Sequence, residues 1–133
     1  MLESEIESWV IAHPQLLGFD RIEKIPEMYG RYHRSTFGDC LGFKSGKVYR
    51  IEVETDTSGF FIHKPEVRDK IDVVICISKS EPRSLEKRRE LETKTVIKLW
   101  DFPLFQHFYR QLHHYPQFAP DQQKEIEDVF GKW

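Results

Sequence analysis

The chain has 133 residues, 39% of them hydrophobic and 14% aromatic, with 32% charged and a formal net charge of -2. That length suits a single domain over residues 1–133 with one hydrophobic core. The charge excludes a uniformly basic nucleic-acid coat, so phosphate contacts would need a local patch; the acidic start MLESEIESW is no signal peptide and no apolar run reaches membrane-spanning length, which predicts a cytoplasmic protein with no membrane partner.

Ser4, with Glu7 three residues later, reads as a capping box. It would open a helix whose apolar stripe is Leu2, Ile6, Trp9 and Val10, ended by Pro14 and Gly18. Residues 19–30 read as an irregular connection punctuated by Pro26 and Gly30. Strand-like pieces follow near 31–34, at 39–43 and at 48–54, the last two joined as a hairpin by a Lys-Ser-Gly-Lys turn. Residues 58–68 read as a helix or helix-like crossover capped by Ser58 and perturbed by Gly59 and Pro65. The nearly continuous apolar run 71–77 predicts a central strand buried on both faces.

Residues 79–94 carry six basic and four acidic side chains, the signature of a solvated loop or exposed helix. A last strand is expected at 95–100. Asp101 would cap a helix presenting Leu104, Phe105, Phe108 and Leu112 on one face. Asp121 would cap another, with Ile126, Val129 and Phe130 inward and Gly131 at its end. The order predicts an α/β fold with a central mixed β-sheet flanked by α-helices. Cys40 and Cys76 lie in apolar strands with no CxxC pair, which predicts two buried reduced thiols rather than a zinc site.

The chemistry concentrates in Tyr49-Arg50-Ile51-Glu52-Val53-Glu54. Alternate side chains of a strand share a face, so Tyr49, Ile51 and Val53 point inward and Arg50, Glu52 and Glu54 the other way. Glu52 and Glu54 then stand about 6–7 Å apart along the strand. Like charges beside buried strands repel and lose hydration, a cost that a hard divalent cation removes. Asp39, 13 residues before Glu52 and across a four-residue turn, supplies a third acid. The plain alternative is a surface strand with two solvated glutamates and a turn aspartate.

Phe37-Gly38-Asp39 followed by Ile51-Glu52-Val53-Glu54 resembles the PD-(D/E)xK nuclease superfamily, the restriction-endonuclease-like fold. Its signature is an aspartate, a strand-turn, then Glu/Asp-x-Lys on the next strand. Downstream, Ser58, Phe60, His63, Asp72 and Val73-Val74-Ile75-Cys76 are similar to a pattern in members with an acidic ExE strand. The resemblance covers roughly residues 1–100. It implies a metal-dependent nuclease that hydrolyses phosphodiester bonds in DNA. Asp39, Glu52 and Glu54 would hold Mg²⁺ (or Mn²⁺), and the protein would act as a possible homodimer. Glu54 departs from the family's lysine: it is a third ligand, a general base or the mark of a site that lost catalysis. Lys64 could supply the missing cation. His63 could shuttle a proton or touch a phosphate, or simply be hydrogen-bonded within the crossover. Asp72 could orient His63 or close a turn, and Glu3 or Glu7 could approach the site from the first helix. Arg34, Lys44, Lys47 and Arg50, in a stretch whose one acid is Asp39, would hold nucleic-acid phosphates. The alternative reading is a catalytically inactive nucleic-acid- or protein-binding module on the same fold.

Overall fold

A computed structural model describes residues 2–26, 28–29, 32–33 and 38–113. Arg34, His114 and the expected helix after Asp121 lie outside the described residues. The chain divides into two compact units, 1–98 and 99–133.

The first helix, α1 (Leu2–Ala12), buries Ile6, Trp9 and Val10 as the periodicity predicts. Ser4 is not its cap. It lies inside the first turn, where Ser8 Oγ donates to its carbonyl at 3.0 Å. The acids Glu3 and Glu5 suit that turn through the helix dipole. His13 stacks on Trp9, and a short 3-10 turn (Gln15–Leu17) ends the unit at Gly18.

The stretch expected to be irregular holds a strand, β1 (Arg21–Lys24). Only Ile22 of its four residues is buried, too few for a period-2 signal. Tertiary pairing with the next long strand makes it. The short strands β2 (Met28–Tyr29) and β3 (Tyr32–His33) pair with each other in a separate ribbon.

The hairpin consists of β4 (Cys40–Lys44) and β5 (Lys47–Asp56). Its tip residues Ser45 and Gly46 both take positive φ, 50° and 77°. That is the type I′ geometry which matches strand twist. Two short helices, α2 (Thr57–Phe60) and α3 (Pro65–Arg68), form the crossover to β6 (Val73–Ser78). Five of the six β6 residues are buried, as expected for a strand covered on both faces. The charged stretch folds as α4 (Leu85–Glu92), capped by Ser84 and anchored by buried Leu91, and leads into β7 (Thr95–Lys98).

The sheet order is β1-β4-β5-β6-β7, antiparallel across β1, β4 and β5 and parallel across β5, β6 and β7. Phe60, Ile71, Val74 and Leu91 form a core cluster that ties the crossover and α4 to the sheet. Cys40 and Cys76 are buried and not disulfide-bonded, and burial pushes the Cys76 thiol up to about 12.

In the second unit a 3-10 turn (Leu99–Asp101) precedes α5 (Pro103–His113). Asp101 lies in that turn, and proline opens the helix instead, where its missing N–H costs nothing. Trp100 meets Tyr109 edge-on at 5.7 Å, and Gln106 Nε2 donates to the Trp100 carbonyl at 2.6 Å. No helix among the described residues is long and apolar enough to cross a membrane.

Candidate metal centre

Alternation along β5 sorts the side chains as the sequence suggests, but both faces are covered at the centre of the strand. Ile51 and Val53 are fully buried, and Glu52 on the opposite side is only 3% exposed. The parallel register sets Glu52 beside Val74 and Glu54 beside Cys76, so the two acids rise from an apolar floor.

Asp39 arrives from the hairpin. Its N–H donates to the Ile51 carbonyl at 3.0 Å and its Oδ2 accepts from Val53 N–H at 2.8 Å. These bonds continue the β4–β5 register by one residue and bring Asp39 opposite Glu52. Gly38, just before it, has φ +103°, and a Cβ there would stand 3.1 Å from the Ile51 carbonyl oxygen. Glycine therefore permits the close approach that delivers Asp39.

His63 arrives from the crossover. Its Nε2 lies 2.8 Å from Glu54 Oε1 and 3.8 Å from Glu52 Oε2. Glu52, Glu54 and His63 each offer a ligand atom within 4.8 Å of the others. The His63 turn is braced from behind. Arg68 Nη1 donates to the His63 carbonyl at 2.6 Å and to the Phe61 carbonyl at 3.4 Å, while Nε and Nη2 donate to Glu90 at 2.9 and 3.2 Å.

The electrostatics follow from crowding. Burial, then the Asp39 charge, a carboxyl–carboxyl hydrogen bond with Asp39, and the charges of Glu54 and Glu3 push Glu52 up to about 10. Burial also raises Glu54, against the opposing hydrogen bond and charge of His63. Two carboxyl groups in hydrogen-bonding contact need a proton or a cation between them. The charge of Glu3 on α1 thus reaches the site, while Glu7 is buried with its Oε1 3.7 Å from Lys24 Nζ.

The lysine candidates fall elsewhere. Lys64 is exposed at the N-cap of α3, with no ion pair to these acids among the described residues. Lys44 and Lys47 face each other across the exposed hairpin tip. Arg50 is half-buried, and its N–H donates to Asp72 Oδ2 at 2.9 Å. Asp72 accordingly locks β5 to β6 instead of orienting His63. Ser58 is not the crossover cap: Asp56 is, accepting from Ser58 N–H at 3.0 Å. The Arg68–Glu90 brace escaped sequence reading because its partners are 22 residues apart on different elements. Asp56, two residues before Ser58, could have been found as an Asx-type cap.

The chain matches no protein-family model, no curated protein and no solved structure.

Proposed function

We propose that the chain is a restriction-endonuclease-like, metal-dependent nuclease that hydrolyses phosphodiester bonds in DNA, working in the cytoplasm with a divalent ion held by Asp39, Glu52 and Glu54. The observation that carries this reading is the convergence of the acid before β4 with the acidic pair of β5, beside His63. An acid before one strand, an acidic pair on the next and a buried parallel strand behind a helical crossover follow the order of the family's motifs.

The donor set suits a divalent cation. Carboxylate oxygens crowd on a buried strand, and the Asp39–Glu52 contact relaxes when a cation replaces the shared proton. Held by Asp39, Glu52 and Glu54, such an ion would supply Lewis acidity toward a phosphate and a bound water. Val53 N–H holds Asp39 in place beside Glu52. Glu54, in the position of the family's lysine, accepts the proton of the attacking water on a carboxylate oxygen. Lys44 and Lys47 stand about 16 Å along β5 from Glu52, far enough to hold backbone phosphates several nucleotides from the cut.

Glutamate in the lysine position also favours a second reading, a binding module that no longer cuts. The test is nicking and linearisation of plasmid, branched and single-stranded DNA with Mg²⁺ or Mn²⁺ and EDTA controls. Wild-type protein is expected to cut, and Glu52→Gln to abolish cutting while keeping the fold. Glu54→Lys is expected to lower activity if Glu54 is ligand or base. Wild-type protein that binds the ion and DNA without cutting either strand establishes the binding module instead.

A further inference from the structure

We infer that the ion this site selects is a divalent transition metal that takes His63 Nε2 as a ligand, in preference to Mg²⁺ held by carboxylates alone. The inference rests on the metal site of the proposed nuclease and narrows what fills it.

The geometry comes first. Ligand atoms about 2.0–2.2 Å from one ion lie roughly 3–4 Å from each other. His63 Nε2 and Glu52 Oε2 are already 3.8 Å apart. The 2.8 Å contact between His63 Nε2 and Glu54 Oε1 is a hydrogen bond that opens by about half an ångström when an ion takes the place of the proton. All three ligand atoms lie within 4.8 Å of one another, so they must draw slightly closer to share one ion.

Donor chemistry comes second. Mg²⁺ takes oxygen ligands and keeps much of its water, whereas imidazole suits the later first-row ions. A site of carboxylates alone would not discriminate in this way. Here the nitrogen donor His63 Nε2 faces both acids of β5. Lys64 is exposed at the N-cap of α3, with no ion pair to these acids among the described residues.

Support from behind comes third. A histidine that merely satisfied Glu54 would need no fixed backbone. His63 has one, because Arg68, with only 13% of its side chain exposed, grips its carbonyl and is itself gripped by both oxygens of Glu90. That brace holds the imidazole at the acids by anchoring its turn to α4. Metal sites depend on this kind of outer support.

The experiment uses the full chain stripped with EDTA and titrated calorimetrically with Zn²⁺, Mn²⁺ and Mg²⁺. One site is expected, with Zn²⁺ and Mn²⁺ bound at least about tenfold more tightly than Mg²⁺. His63→Asn replaces the nitrogen donor by a neutral oxygen. It should abolish that preference and leave Mg²⁺ affinity within about threefold, with circular dichroism reporting the fold. Wild-type protein loaded with Co²⁺ gives a second readout that needs no variant: a paramagnetically shifted imidazole proton from His63. Equal affinities for the three ions, a preference that survives in His63→Asn, or no shifted imidazole signal overturns the inference. Mg²⁺-driven cleavage by a protein without the preference overturns this inference and leaves the nuclease reading standing. Zn²⁺ binding through His63 with no cleavage under any ion does the reverse.

Discussion

Strand β5 carries two acidic neighbourhoods only two residues apart, and they behave in opposite ways. At its end, Asp56 accepts from Ser58 N–H, Ser78 Oγ and Ser80 Oγ at 2.9–3.0 Å. Burial raises this carboxyl, but the bonds from Ser58, Ser78 and Ser80 outweigh it and hold it below the usual range. Thr57 adds a second clasp, donating to the Ser80 carbonyl and accepting from Ser80 N–H. At Glu52 and Glu54 the neighbours are other acids and a single imidazole, and both carboxyls are raised. A half-buried acid surrounded by donors is a fastener. A buried acid surrounded by acids is held protonated, in a place that a cation can take from the proton.

The comparison predicts opposite responses to removing the charge. Asp56→Ala strips three hydrogen bonds, one of them the α2 cap, and should destabilise the fold by about 2–3 kcal/mol at neutral pH. Chemical denaturation would measure it. Because the folded carboxyl titrates below its ordinary 3.8, its stabilising contribution is complete above that pH and fades as the pH falls below it. The penalty of Asp56→Ala should shrink in acid accordingly, and metal affinity should not change. A variant as stable as wild type would erase the distinction between the two neighbourhoods.

Glu52→Gln should do the opposite to the metal-free protein, stabilising it by about 1–2 kcal/mol at neutral pH, because the amide still donates to Asp39 while, unlike Glu52, it gains nothing by ionising in the unfolded chain. The sign follows from proton counts. Below about 4.5 Glu52 is protonated in both folded and unfolded chains; between there and about 10 the folded chain holds the extra proton, so wild-type stability falls as pH rises. Thermal melts in EDTA from pH 5 to 9 should show the wild type losing stability and the gap to Glu52→Gln widening. Parallel pH profiles would mean that Glu52 is not held protonated. A saturating divalent ion should reverse the ranking, since it stabilises only the protein that binds it.

The smallest effect on stability, and the sharpest on the site, is expected from Gly59→Ala. A Cβ at Gly59 would stand 2.5 Å from Glu54 Oε2, the far end of a flexible side chain. The carboxylate swings away at little cost to the fold, within about 1 kcal/mol, because alanine also suits a helix better than glycine. Displacing Glu54 from its partners should weaken ion binding about tenfold. Calorimetry showing unchanged affinity would mean that Glu54 is not a ligand.

What the sequence discloses here depends on whether a signal is local. The ExE alternation on β5, the Ser45–Gly46 turn and the buried run of β6 depend on nearest neighbours, and all were legible. Strand β1 was not, because its single inward residue, Ile22, leaves no period and its pairing with β4 is long-range. Of the candidate centre, the two glutamates and Asp39 could be placed from strand geometry and a tight turn. The approach of His63 to both acids depends on how two four-residue helices dock, and the Arg68–Glu90 brace depends on α4. Neither leaves a spacing in the chain. Ser4 and Ser58 satisfied capping patterns, yet Ser4 lies inside the first turn of α1 and Asp56 caps α2.

The mixed direction of the sheet also sets an order of assembly. Strands β4 and β5 close over a two-residue turn, a local event on a timescale of microseconds. The parallel pairing of β5 with β6 must close a loop of 22 residues between Arg50 and Asp72 before any of its bonds form, and such non-local steps are the slow ones. Asp39 and Glu52 therefore meet early, while still wet and able to shed their repulsion into solvent. Their burial comes only with β6 and the crossover, so the electrostatic penalty falls late on the folding path. Glu52→Gln should on this account slow unfolding more than it speeds folding.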